Sequence, residues 1–244
     1  MAVKQIQWQK HTISISYEII NPQAKRDMIV LHGWGSHKEL MRDAFAPYLD
    51  AFRHIYIDLP GFGNSTSPRV MDSIDYAEVM DIFLESISAK RDIIAGHSFG
   101  GKVATLLNPD RLVLLSSAGI KECKSLKVHA KIAIFKLFKF LGLAKLRHLF
   151  VAPDAKNLDK HMYGTFKRVI NEDFKNIFSH FDHKALIFWG TKDTATKLES
   201  GKLIHELIKN STFEAFDGDH YFFLKYPKQI AQSIERDYLE VKEG

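Results

Sequence analysis

Residues 96–101 read Gly-His-Ser-Phe-Gly-Gly. They follow Asp92-Ile93-Ile94-Ala95, which has the character of a buried strand, and precede a stretch from Lys102 to Leu107 with the character of a helix. A serine between two glycines at a strand-to-helix turn is the arrangement of a nucleophile elbow. Side chains do not fit at the flanking positions of so tight a turn, so glycines occupy them. Ser98 is pushed to the tip, at a helix N-terminus, where backbone N–H groups and the helix dipole favour negative charge. A serine hydroxyl is a weak nucleophile at neutral pH. It needs a base, and the base needs a carboxylate to orient it. In a strand–turn–helix setting the three follow one another in the order Ser, Asp or Glu, His.

Asp193 is the acid candidate, in Gly190-Thr191-Lys192-Asp193 just past the apolar run Ala185–Trp189. The loop after the preceding run, Ser116-Ser117-Ala118-Gly119, offers no carboxylate before Glu122, which favours Asp193. Its structural alternative is a capping aspartate near Thr194 and Thr196. His220 is the base candidate, in Phe216-Asp217-Gly218-Asp219-His220-Tyr221, with Asp219 as a substitute orienter. An oxyanion hole needs two backbone donors near the serine. The candidates are the N–H of Phe99 and the N–H of Trp34, the latter in Leu31-His32-Gly33-Trp34-Gly35. His32 and His97 read as packed, hydrogen-bonded histidines that brace these turns. This chemistry calls for no metal and no organic cofactor.

The elements that must position these groups are legible from hydrophobic patterning. Residues 4–20 alternate loosely around a polar break at Lys10-His11, as in a β-hairpin. All-apolar runs at Met28–Leu31, Ile55–Leu59, Ile93–Ala95, Leu112–Leu115 and Ala185–Trp189, with a weaker strand around Phe213–Phe216, suit a parallel sheet buried on both faces. Helical patterns fall at 37–49, 73–89, 99–107, 197–208 and 221–240. This alternation predicts an α/β, doubly wound sheet. From Lys121 to His180 the patterns are helical with no strand, which predicts a core of 1–120 and 181–244 with a helical cap at 121–180 laid over the sheet's C-terminal edge.

With 244 residues, 45% hydrophobic and 26% charged, the chain is long enough to bury its own core. One cysteine, Cys123, excludes an internal disulfide framework and suits a reducing, cytoplasmic compartment. The first eight residues hold no apolar signal core, and the apolar stretch 132–151 is broken by Lys136, Lys139, Lys145 and Arg147, so no membrane span is expected. The net charge of +5 is unevenly placed: residues 121–180 hold 13 Lys/Arg against 5 acids, while the rest of the chain is slightly acidic. Nucleic acid is not an expected partner.

Taken together, His32-Gly33-Trp34-Gly35, Asp58-Leu59-Pro60-Gly61-Phe62-Gly63-Asn64-Ser65, Gly96-His97-Ser98-Phe99-Gly100-Gly101, Gly190-Thr191-Lys192-Asp193 and Gly218-Asp219-His220 resemble the α/β-hydrolase superfamily, in its order and over nearly the whole chain. The resemblance implies an eight-stranded, mostly parallel sheet, a cap inserted after the sixth strand, and a serine hydrolase acting on a small-to-medium acyl ester or thioester. The segments 31–35 and 58–63 are similar to the pimeloyl-carrier-protein methyl ester esterases, for which an acidic acyl carrier protein would meet the basic cap. Ser98-Phe99-Gly100-Gly101 and Ser117-Ala118-Gly119 are similar to the meta-cleavage-product hydrolases, which split carbon–carbon bonds. Those usually carry Asn before the serine and Trp after the histidine, where this chain has His97 and Tyr221. In such an enzyme a cap arginine, Arg147 or Arg168, would hold the substrate carboxylate, and Tyr221 is a further substrate-binding candidate. His220-Tyr221-Phe222-Phe223-Leu224 is similar to type II thioesterases. A third reading, of a different class, is a low-turnover ligand-binding or interaction protein on the same fold.

Overall fold

The computed structural model describes residues 1–121 and 160–240. Its eight strands are β1 (Ala2–Trp8), β2 (His11–Ile20), β3 (Arg26–Leu31), β4 (Phe52–Ile57), β5 (Ile93–His97), β6 (Arg111–Leu115), β7 (Lys184–Gly190) and β8 (Ser211–Phe216). They form one sheet in the order β1-β2-β4-β3-β5-β6-β7-β8. The expected hairpin is β1 against β2, and β2 runs antiparallel to β4; from β4 onward every neighbouring pair is parallel. The described helices are α1 (Lys38–Phe45), α2 (Ser73–Ser86), α3 (Phe99–Leu106), α4 (Lys160–Val169), α5 (Lys175–Ser179), α6 (Leu198–Leu207) and α7 (Pro227–Glu240).

The helices cover both faces, which is why the central strands are apolar throughout rather than alternating. On one face Val79 and Phe83 of α2, Val103 of α3 and Ile204 of α6 pack with Ile29, Ile94, Leu112 and Ile187. On the other, Met41 and Phe45 of α1 and Ile230 and Ile234 of α7 pack with Met28, Val30, Val113 and Leu186. Each such side chain, fully buried, contributes roughly 1.5–3 kcal/mol.

Three of the boundaries that differ from the pattern have a local cause. The helix expected over 37–49 stops at Phe45, because Pro47 brings no N–H to the ladder and Leu49 turns the chain at φ +64°. The pattern over 221–240 is two elements, a 3₁₀ turn at Phe222–Leu224 and then α7, which opens on Pro227, a residue whose fixed φ suits a first helical position. β4 is displaced to Phe52–Ile57, since at Asp58 the chain leaves the sheet and the carboxylate takes the N–H groups of Lys38 (2.8 Å) and Asn64 (3.1 Å). Between β6 and β7 the described residues hold only α4 and α5. The helical pattern over 130–141 and the break at Gly142 lie outside the described residues.

Parallel register brings the C-terminal ends of β3, β5, β7 and β8 to one edge. There α3 starts so close to the end of β3 that a Cβ at Gly100 would lie 2.5 Å from the His32 carbonyl oxygen and 2.6 Å from that of Leu31. Gly35, by contrast, has φ +73° and nothing within 4 Å of a Cβ. Gly100→Ala is therefore expected to destabilise by about 1–3 kcal/mol through overpacking, and Gly35→Ala only by the strain of a left-handed alanine, about 1 kcal/mol. Urea denaturation of the two variants checks the ranking; equal midpoints would contradict it.

Candidate active site

Ser98 stands between β5 and α3 at φ +51°, ψ −114°, a conformation that non-glycine residues rarely hold and that the surroundings must impose. Its N–H donates to the Leu115 carbonyl (3.1 Å), and its own carbonyl accepts from Gly101 (3.1 Å) and Ala118 (3.0 Å). The turn is thus pinned to the end of β6. The side chain is half-buried.

Asp193 and His220 meet because β7 and β8 are parallel neighbours whose following loops are joined: Thr191 N–H donates to the Phe216 carbonyl and Lys192 N–H to that of Gly218, both at 2.9 Å. His220 Nδ1–H donates to Asp193 Oδ2 at 2.7 Å, leaving Nε2 as the ring's lone-pair nitrogen. The Asp193 side chain is buried. Its other oxygen accepts the N–H groups of Ala195 (2.8 Å) and Thr196 (2.9 Å), so the aspartate is at once a turn cap and the partner of the imidazole. Thr196 is the neighbour the sequence undervalued. Its hydroxyl lies 2.9 Å from Asp193 Oδ2, 3.1 Å from the Ser116 carbonyl and 3.4 Å from His220 Nδ1, bridging the ends of β6 and β7. The Asp-x-x-Thr spacing after a strand was the available signal. Asp219, the substitute orienter, instead accepts from the Tyr221 N–H and is exposed.

His97 links the two halves of the site. Its Nε2–H donates to the His220 carbonyl (2.9 Å), and its ring lies 4.6 Å from that of His220, 5.2 Å from Tyr221 and 4.8 Å from Phe223. The serine turn and the imidazole loop are therefore held side by side. Among the described residues the Ser98 hydroxyl and His220 Nε2 make no hydrogen bond to each other; such contacts are often long before substrate binds.

On the opposite side, Leu59 N–H donates to His32 Nε2 (3.0 Å), so His32 carries its proton on Nδ1 and donates it to the Gly33 carbonyl (2.7 Å). This braces the loop carrying Trp34, as expected. Phe99 opens α3, so its N–H is one of the four with no intrahelical acceptor. Neither the Phe99 N–H nor the Trp34 N–H donates a hydrogen bond among the described residues. The Trp34 ring packs edge-on against Phe62 (4.8 Å) and Phe99 (5.6 Å) and tilts onto Phe166 of α4 (5.3 Å), giving this side an aromatic wall. Of the weaker candidates, Arg168 is exposed on α4, Tyr221 is 41% exposed with its ring beside His97, and Arg147 lies outside the described residues. Among the described residues no group of His, Cys, Asp and Glu could hold a metal ion, and no helix is long and apolar enough to cross a membrane.

The sequence pattern of the family described as "Alpha/beta hydrolase family" matches residues 28–233. The chain is 25% identical over 230 residues to "Uncharacterized hydrolase YugF" of Bacillus subtilis, covering 82% of this chain and 84% of that one. It is 24% identical over 250 residues to the "Pimeloyl-[acyl-carrier protein] methyl ester esterase" of Neisseria meningitidis, covering 90% and 95%. Among solved structures, a hydrolase from Pseudomonas aeruginosa superposes with a TM-score of 0.75 at 20% identity, over 95% of this chain and 96% of that one, a likeness of fold.

Burial shapes the electrostatics. It pushes the Asp193 carboxyl up, but the hydrogen bonds from His220 and the Thr196 N–H outweigh it and hold the group below its ordinary value. Burial lowers His32 to about 4, against the opposing pull of the Gly33 carbonyl and Asp58. It lowers His97 to about 3, helped by the neighbouring His220. Both rings are neutral in the folded protein at pH 5–7, whereas in the unfolded chain they take up protons below about 6.5. Unfolding therefore binds protons over this range, and stability is lost as the pH falls from about 6.5 toward 4. The expected slope is about 1.4 kcal/mol per pH unit for each histidine. Urea midpoints between pH 7 and 5 measure it, and a flat profile would contradict the burial of neutral imidazoles.

Proposed function

The chain belongs to the alpha/beta hydrolase family, and from that premise we propose that it is a serine hydrolase cleaving a carboxylic ester or thioester of a small-to-medium acyl group through an acyl-enzyme on Ser98. The observation that carries this reading is the strained Ser98 turn tied, through His97, to the loop bearing His220, whose ring pairs with Asp193. His220 Nε2 takes the hydroxyl proton as Ser98 Oγ bonds to the acyl carbon. Asp193 holds the ring in the required tautomer and stabilises the imidazolium. The backbone N–H groups of Trp34 and Phe99 donate to the negative charge that develops on the acyl oxygen. The C–O or C–S bond then breaks, and the imidazolium gives its proton to the departing alcohol or thiol. Water, deprotonated by His220, attacks the acyl-enzyme, and Ser98 regains its proton as the acid leaves. The wall of Trp34, Phe62, Phe99 and Phe166 suits a hydrocarbon acyl chain.

The same reading takes residues 121–180 as a cap between core segments 1–120 and 181–244, and an acidic acyl carrier protein as the partner that delivers the acyl group. The basic balance of that segment, the exposure of Lys121, Lys167, Arg168 and Lys175, and the printed activity of the Neisseria relative support it. A cytoplasmic location belongs to the same proposal, on the chain's single cysteine.

Ser98→Ala and His220→Gln are expected to lower kcat for p-nitrophenyl butyrate by about 10⁴-fold or more, and Asp193→Asn by a similar factor. A Ser98→Ala protein with the parent rate would sink the mechanism. For a carrier-linked acyl thioester, kcat/KM is expected to fall as salt rises while that for the p-nitrophenyl ester stays level, because only the first encounter is steered by charge. Parallel salt dependences would remove the carrier protein from the account.

A further inference from the structure

Lys102 lies one helical turn beyond Ser98 on α3, and it is 1% exposed. A buried ammonium needs partners, and the partners found here join three elements. Its Nζ donates to the Val169 carbonyl (2.7 Å), pairs with the Glu172 carboxylate and lies 4.5 Å over the Phe174 ring. Glu172 in turn accepts the N–H of Ser73 (3.0 Å) and its hydroxyl (2.5 Å). Val169 is the last residue of α4 and Ser73 the first of α2, so the cation sits at a helix C-terminus and the anion at a helix N-terminus. Each charge meets the end of the dipole that favours it and satisfies an orphan backbone group. These contacts offset a desolvation cost of several kcal/mol per ion; a buried pair is not by itself a net source of stability.

What the pair holds in place suggests its use. One side of α4 packs on the loops after β3 and β4: Thr165 Oγ1 accepts the Met71 N–H (3.0 Å), Met162 closes over Gly61, and Phe166 lies on Trp34. A continuous line of contacts runs from the serine's own helix through Lys102 and Val169 to Phe166 and the Trp34 loop. We propose that Lys102 and Glu172 are positioning residues that fix the α4 wall against the Trp34 loop and so set which acyl chain length the site accepts. This rests on the serine-hydrolase reading for its substrate, but not for the coupling between Lys102 and Trp34.

The test compares Lys102→Met, Glu172→Gln and Lys102→Arg with the parent protein in two readouts. The first is the ratio of kcat/KM for p-nitrophenyl octanoate to that for the acetate, which is independent of the fraction folded. The second is acrylamide quenching of tryptophan fluorescence. Trp8 and Trp189 are buried at 2% and 0% exposure, so quenching reports chiefly on Trp34. Lys102→Met and Glu172→Gln are expected to shift the ratio by roughly tenfold and to increase quenching, while Lys102→Arg, which keeps the charge, stays near the parent in both. Should Lys102→Met fail to fold, the apolar pair Lys102→Met/Glu172→Met is expected to fold and show the same shift. Folded variants with the parent ratio overturn the role in chain-length selection, and those with the parent quenching overturn the coupling. If the parent turns over no ester, the serine-hydrolase reading fails and chain-length selection with it, while quenching still decides the coupling.

Discussion

The hydrogen bond from His97 Nε2–H to the His220 carbonyl, 2.9 Å long, spans the gap between a turn on β5 and a loop after β8, two strands that are not neighbours in the sheet. Parallel register brings those strand ends to a common edge, but register alone leaves a loop free to swing. The buried His97 ring removes that freedom because its donor has one acceptor and its faces pack against His220, Tyr221 and Phe223. A neutral ring suits this task, and burial keeps it neutral. In the proposed mechanism, protonation of His97 would place a positive charge beside the imidazole of His220 that takes the serine proton.

The same economy of polar groups recurs around the edge. Asp193 uses both carboxylate oxygens, one on the backbone of its own turn and one on His220, so the carboxylate is held from two sides. His32 donates within its own loop and accepts from Leu59 in the loop after β4, Asp58 gathers the buried Lys38 ammonium and two N–H groups, and Lys102 with Glu172 closes two helix ends. Donors aimed at a developing charge are effective only if they need not reorganise during the reaction. Among the described residues the backbone N–H groups of Trp34 and Phe99 donate no hydrogen bond, which leaves them available for that role in the proposed mechanism.

Much of this was legible in the residues. Strands buried on both faces announce themselves as apolar runs, and β3, β5, β6 and β7 lie where Met28–Leu31, Ile93–Ala95, Leu112–Leu115 and Ala185–Trp189 put them. The placing of Ser98, Asp193 and His220 along one edge was legible because each follows a strand, and a strand end fixes a position in space as well as in sequence. Helix ends were less so: Pro47 and Pro227 outweighed the periodicity of 37–49 and 221–240. Long-range pairs between charged side chains were not legible at all. Lys102 sits in a helix among apolar neighbours with its partner 70 positions away, and Glu172 belongs to a segment whose charge balance reads as a basic face. Local pattern carries no information about which distant carboxylate a lysine will meet.

The proposed mechanism needs a hydroxyl, an imidazole and two backbone donors around one reacting carbon. A crystal structure of the protein after reaction with a p-nitrophenyl alkylphosphonate measures this directly. The predicted result is phosphorus bonded to Ser98 Oγ, a phosphoryl oxygen within hydrogen-bond distance of the Trp34 and Phe99 N–H groups, and His220 Nε2 beside the adduct. An adduct on another residue, or a Ser98 adduct whose oxygen faces neither donor, would contradict it.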